Sequence, residues 1–186
     1  MTKITDAKIL IISADGFEQS ELEVPRDELK KAGAAVTLAT PDGKNVKGWK
    51  DKNWGPEAQA DAAIGDVSAT DFDALVIPGG QMNPDILRTI PAAVSLVKDF
   101  AAAGKPIAAI CHAPWLLIEA GILDGRKATS YGSIRTDVMN AGANWEDSEV
   151  VVDNGLITSR SPEDLPAFVA KLIEEVEEGR HHAAAA

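Results

Sequence analysis

The sequence is poor in the residues that most often carry covalent links or proton chemistry. Of 186 residues one is cysteine, three are histidine, and aromatics make up 5%. A single cysteine excludes an intramolecular disulfide, so a hydrophobic core has to hold the fold, and a reducing cytoplasm is the expected compartment. Basic residues are scarce as well: 18 Lys and Arg stand against 29 Asp and Glu, for a net charge of −11. Such a surface aids solubility and gives no nonspecific grip on nucleic acid or anionic membrane, so neither is expected as a partner. Long apolar runs are missing. The run Ile9–Ile12 is too short, and too soon followed by Asp15, for a signal segment or a membrane span. There is no G-x-x-x-x-G-K-[ST], no G-x-G-x-x-G after the first apolar run, and no His/Cys metal spacing. Nucleotide and metal chemistry are therefore poorly supported, and no cofactor and no metal are expected.

What is present is an alternation of short apolar runs and helical patterns. Residues 8–13, 34–40, 72–80 and 105–110 read as buried strands. Residues 18–33 read as a helix that Pro25 should kink or delay. Residues 41–55 read as a loop or hairpin excursion. A short turn and a helix from about Ile90 fill residues 83–104, and residues 113–121 continue as a helix closed by Gly121. Residues 127–130 are short and extended, and 133–142 form a short helix. Asp153-Asn154-Gly155 joins two strands within 149–159 as a hairpin. A final helix spans 161–179, with Ser161 as N-cap and Pro162 in its first turn. No linker or repeat interrupts this order, so a single domain over 1–179 is expected, with 180–186 as a low-complexity tail whose His181 and His182 read as a tag or frayed end. Alternation of this kind predicts an α/β fold, a mostly parallel central sheet with helices on both faces. Ligands bind beyond the carboxyl ends of strands in such sheets. That rule singles out Asp15 to Glu18, Pro78-Gly79-Gly80 and Cys111-His112.

In "KPIAAICHAPWLLIEAG" the only thiol and the only histidine outside the tail stand side by side where a strand gives way to a helix. A helix N-terminus there would favour a thiolate, and a sharp strand-to-helix elbow would lift the sulfur above the sheet edge. A buried core cysteine is the plainer reading of the same position. Adjacent residues do not face each other on a regular helix, so a bond between Cys111 and His112 requires a distorted elbow. Glu18 can reach Cys111 if the first and fourth strands are near neighbours, and a carboxyl buried there would hold its proton and donate to sulfur. It reads equally as a first-turn acid favoured by the helix dipole. Gly79 and Gly80 can bring backbone N–H groups to a substrate oxygen, or simply make a tight turn. Asp85 by itself reads as a surface or capping residue, and Trp115 and Tyr131 as pocket walls or packing.

Taken together, "DGFEQSEL", "DALVIPGG", the Cys111-His112 segment, "RKATSYGSIRTDVMNAGANWEDSEVVVDNGLITSR" and "PEDLPAF" resemble the PfpI family, in order and spacing, over about residues 7–175. That family groups intracellular protease-like, glyoxalase III-like and deglycase-like stress proteins within the class I glutamine amidotransferase-like fold. The resemblance implies a flavodoxin-like sandwich and a Cys111–His112 pair. It implies that Glu18 bonds the sulfur, and that an acid after the Gly79-Gly80 turn, here Asp85, reaches the histidine, commonly from a neighbouring subunit of a homodimer or larger homo-oligomer. It implies three activities: cofactor-free chemistry on a small carbonyl substrate such as methylglyoxal or its protein adducts, a cysteine peptidase or amidase acting on peptides, or a redox-sensing or chaperone-like stress protein. The first is favoured because a thiol adds to an aldehyde carbonyl and needs no long peptide groove.

Overall fold

The computed structural model describes residues 2–179; the tail, including His181 and His182, lies outside them. The apolar run near the start forms the strand Lys8–Ile12, with Ile9 to Ile12 fully buried. It lies between the parallel strands Ala35–Thr40 and Ala74–Ile77. On one side the sheet ends with Ala62–Ala63. On the other it continues through Ile107–Ile110 and Leu156–Ser159 to the antiparallel edge strand Val151–Asp153, seven strands in all. The chain leaves the first strand in one direction and later crosses it in the other. The crevice between Lys8–Ile12 and Ala74–Ile77 is therefore a topological switch point, where flavodoxin-like sheets hold their ligands.

Among the described residues six α-helices cover the sheet: α1 (Gln19–Lys31), α2 (Met82–Leu87), α3 (Pro91–Ala102), α4 (Pro114–Glu119), α5 (Arg135–Asn140) and α6 (Leu165–Glu178). Strand alternation sorts the core into two layers. Leu10, Ile12, Leu75, Ile77 and Ala109 face α2 to α5, packing with Leu87, Phe100, Leu116 and Val138. Ile9, Ile11, Val76, Ala108 and Ile110 face α1 and α6, packing with Leu22, Leu29, Phe168 and Leu172. Each Leu, Ile, Val or Phe side chain among them contributes about 1.5–3 kcal/mol by leaving water. No helix among the described residues is long and apolar enough to cross a membrane.

Two local expectations need correction, Pro25 and the start of the final helix. Pro25 neither delays nor interrupts α1, which runs unbroken past it; the proline, lacking an N–H, is buried against the core. The final helix does not start at Ser161. A 3-10 turn, Pro162–Asp164, comes first, and Asp164 turns back to accept both a backbone and a guanidinium bond from Arg160. Lys127–Ala128 pairs with Asn144–Trp145 outside the main sheet. The excursion after Thr40 is a hairpin, Val46–Lys50 with Asn53–Ala58, whose first strand also pairs with Phe17–Glu18.

Candidate active site

The strand Ile107–Ile110 ends at Cys111, whose φ is +64°. This is the left-handed region, which costs a residue with a Cβ about 1–2 kcal/mol. Two bonds hold it there: Cys111 N–H donates to the Ser159 carbonyl (3.0 Å), and Tyr131 N–H donates to the Cys111 carbonyl (2.9 Å). The elbow turns Cys111 Sγ toward His112 Nδ1, 3.1 Å away, although the residues are neighbours in sequence. The helix α4 begins only at Pro114. The sulfur thus sits on a turn rather than on the first residue of a helix, and it is 5% exposed. Burial, followed by the charge that Glu21 carries when ionised, pushes the Cys111 thiol up rather than down. The helix N-terminus expected at this sulfur lies three residues further on, at Pro114.

The acid beside this sulfur is Glu21, three residues beyond the one expected. Glu18 is the N-cap of α1: its carboxylate accepts from Glu21 N–H (3.0 Å) and from the Ser20 hydroxyl. Both bonds fall on Oε2 and commit Glu18 to the helix end. Glu21 lies one turn in, fully buried, with Cys111 and the N–H groups of Gly79 and Gly80 facing its carboxyl. Neither of its oxygens has a partner in close, well-aligned hydrogen-bond geometry. Desolvation, then the charge of Glu18, raises its pKa to about 8. At neutral pH Glu21 is therefore mainly the neutral acid, able to donate toward sulfur, and its charge is not there to oppose a thiolate. The two groups titrate as a pair.

Gly79 makes this meeting possible. A methyl group there would overlap Glu21 Oε2 and stand 2.6 Å from both Cys111 Cβ and the Ile110 carbonyl. At Gly80, with φ +79°, a side chain would run into the backbone of Gly16 to Glu18. The strand ends after residues 12, 77 and 110 thus touch through glycine, and Gly80 N–H reaches the sulfur.

His112 is 7% exposed, and burial lowers its pKa, so the imidazole is neutral at neutral pH. Tyr131 stacks on the ring (4.7 Å, 26°) and Trp115 meets it edge-on (5.2 Å, 63°). Trp115 is itself held by a bond to Asp137 (2.8 Å) and by the Arg88 guanidinium over its face. The group on His112 Nε2 is the Ser133 hydroxyl, 3.1 Å away. Asp85, which the resemblance places against the histidine of a neighbouring subunit, pairs within its own chain with Arg88 one turn along. Sequence reasoning missed Glu21 and Ser133. For Glu21 a signal existed: it shares the helix face of Leu22, Pro25 and Leu29, where an acid is out of place. Ser133 carried none beyond its position two residues after Tyr131. Among the described residues no group of three or more His, Cys, Asp or Glu side chains is placed to hold a metal ion.

A buried Cys–His pair on a strained elbow, with a protonated acid at its back and a flavodoxin-like sheet beneath, defines a class of cysteine-centred α/β proteins. The chain matches the DJ-1/PfpI family over residues 7–175, and it belongs to that family. It is 49% identical over 163 residues to General stress protein 18 of Bacillus subtilis, covering 87% of this chain and 92% of the relative. It is 47% identical over 163 residues, with the same coverage, to Protein/nucleic acid deglycase 2 of Escherichia coli. The crystal structure of Drosophila melanogaster DJ-1beta superposes with a TM-score of 0.83 at 33% identity, over 96% of this chain and 95% of that one.

Proposed function

We propose that the protein is a cofactor-independent cysteine enzyme of stress protection, acting on 2-oxoaldehydes or their adducts. The observation that carries this reading is the fully buried Glu21 carboxyl, which faces the Cys111 sulfur and the N–H groups of Gly79 and Gly80. The names of the deglycase and stress-protein relatives support it.

The chemistry balances without a co-reactant. Cys111 sulfur bonds to the aldehyde carbon as its proton passes to His112 Nδ1, and the carbonyl oxygen takes a proton to give a hemithioacetal. The Glu21 acid and the glycine N–H groups stabilise the oxygen as charge develops on it. Loss of the C1 proton and its return at C2, through an enediol, converts the hemithioacetal of methylglyoxal into a lactoyl thioester. Water then releases lactate and restores the thiol. For an adduct, the same attack on the aldehyde-derived carbon expels the amine.

The proposal extends to the setting. A lone free thiol suits a reducing cytoplasm. Exposed Ile86, Tyr131 and Met139, on segments around the His112 side of the site, favour a homo-oligomer with the elbow near a subunit interface. Small carbonyl compounds, rather than nucleic acid or membrane, are the expected partners. The test is lactate formation from methylglyoxal. Cys111→Ala should lower the rate by about a thousandfold or more, to background; turnover that survives in this variant would refute the mechanism.

A further inference from the structure

We infer that Glu18 is a positioning residue for the proposed carbonyl chemistry: as the cap of α1 it makes one half of a capping box and leaves the other half unmade, which frees the Glu21 side chain to face Cys111 as an acid. The inference rests on that chemistry and adds a residue to it.

Glu18 and Glu21 have the spacing of a capping box, the N-cap and the third helical residue. In the complete box each side chain accepts from the backbone N–H of the other residue. Here only one of the two bonds forms. Glu18 Oε2 accepts from Glu21 N–H (3.0 Å) and from the Ser20 hydroxyl. The return bond has lost its donor, because Glu18 N–H donates to the Gly79 carbonyl (3.4 Å). Two further contacts hold the cap in this place. Phe17–Glu18 pairs with Gly48–Trp49, and a side chain at Gly80 would stand 2.6 Å from Glu18 N. The Glu21 carboxyl is thus released from the helix end and faces Cys111 and the N–H groups of Gly79 and Gly80.

Charge follows from this geometry. A helix N-terminus carries about half a positive charge, which favours a carboxylate in the first turn. Half-buried Glu18 fills that role, using the N–H of Glu21 itself. A second carboxylate at Glu21 would lie out of water and within one turn of the first, so Glu21 keeps its proton. The other titratable groups toward which Glu21 faces are Cys111 and, beyond its sulfur, His112.

Infrared spectroscopy across pH, with no aldehyde present, tests this through the carbonyl stretch of a protonated carboxyl, assigned to Glu21 by its loss in Glu21→Gln. In the wild type the band should persist to about pH 8. Glu18→Gln and Glu18→Asn remove the charge and keep a side-chain acceptor at the cap. Each should lower the midpoint at which the band disappears by about one unit. Glu18→Asp, which keeps both cap and charge, should restore the wild-type midpoint. An unchanged midpoint in either neutral variant, or a Glu18→Asp midpoint that falls with them, overturns the inference. The expected shifts beside a wild type that makes no lactate from methylglyoxal would uphold the hold of Glu18 on Glu21 and count against the carbonyl reading alone.

Discussion

Cys111 and Asn154 both hold a positive φ, +64° and +46°, and their settings are opposite. Exposed Asn154 sits beside buried Gly155 at the tip of the hairpin between Val151–Asp153 and Leu156–Ser159. Two-residue hairpins demand that conformation at both central positions, and asparagine tolerates it. Cys111 sits in the core, where no turn of a hairpin requires it. Its conformation persists because the carbonyl of Ser159, the N–H of Tyr131 and the glycines opposite leave the chain no other path. The same backbone strain is thus ordinary turn chemistry in one place and a device for presenting a side chain in the other.

The largest test of this contrast is at Gly79. Gly79→Ala should cost about 3 kcal/mol, at the upper end for an overpacked interior, because its methyl group meets Glu21, Cys111 and the Ile110 carbonyl together. Chemical denaturation would measure it, and a cost below 1 kcal/mol would mean that the elbow is far looser than its contacts indicate. Next in size is the pH dependence set by Glu21. The folded protein keeps this proton up to about pH 8, whereas the unfolded chain releases it near 4.5. Between those values the native state binds more protons, so stability should fall steadily as pH rises. Glu21→Gln should flatten that decline and melt above wild type at high pH. Parallel melting curves for the two proteins across this range would show that Glu21 is not held protonated. The smallest effect is at the hairpin tip. Asn154→Ala should cost about 1 kcal/mol and Asn154→Gly a few tenths, with Cys111 alkylation unchanged in both. A change in thiol reactivity there would show that the two regions are coupled.

Much of this arrangement was legible before any coordinates. The runs at Ile9–Ile12 and Ala74–Ile77 are apolar without alternation, which marks strands covered on both faces, and their spacing leaves room for crossover helices. Asn154-Gly155 announced its hairpin, and Ile110-Cys111-His112 announced the elbow. Ser133 was out of reach because its contact spans 21 residues and depends on how Tyr131 is tied to the elbow. The role of Asp85 comes from resemblance alone; within its own chain its carboxylate pairs with Arg88.

The sequence by itself determined the parallel sheet, the place where it turns, and the one sulfur available there, because these follow from the period of apolar residues and from the scarcity of cysteine. Tertiary structure alone decided which acid meets that sulfur. Glu18 and Glu21 are the same residue type three positions apart. Capping commits the first to its own helix end, and the approach of Gly79 to Cys111 leaves space only for the second. Burial then keeps Glu21 neutral, a consequence of desolvation that no local pattern encodes.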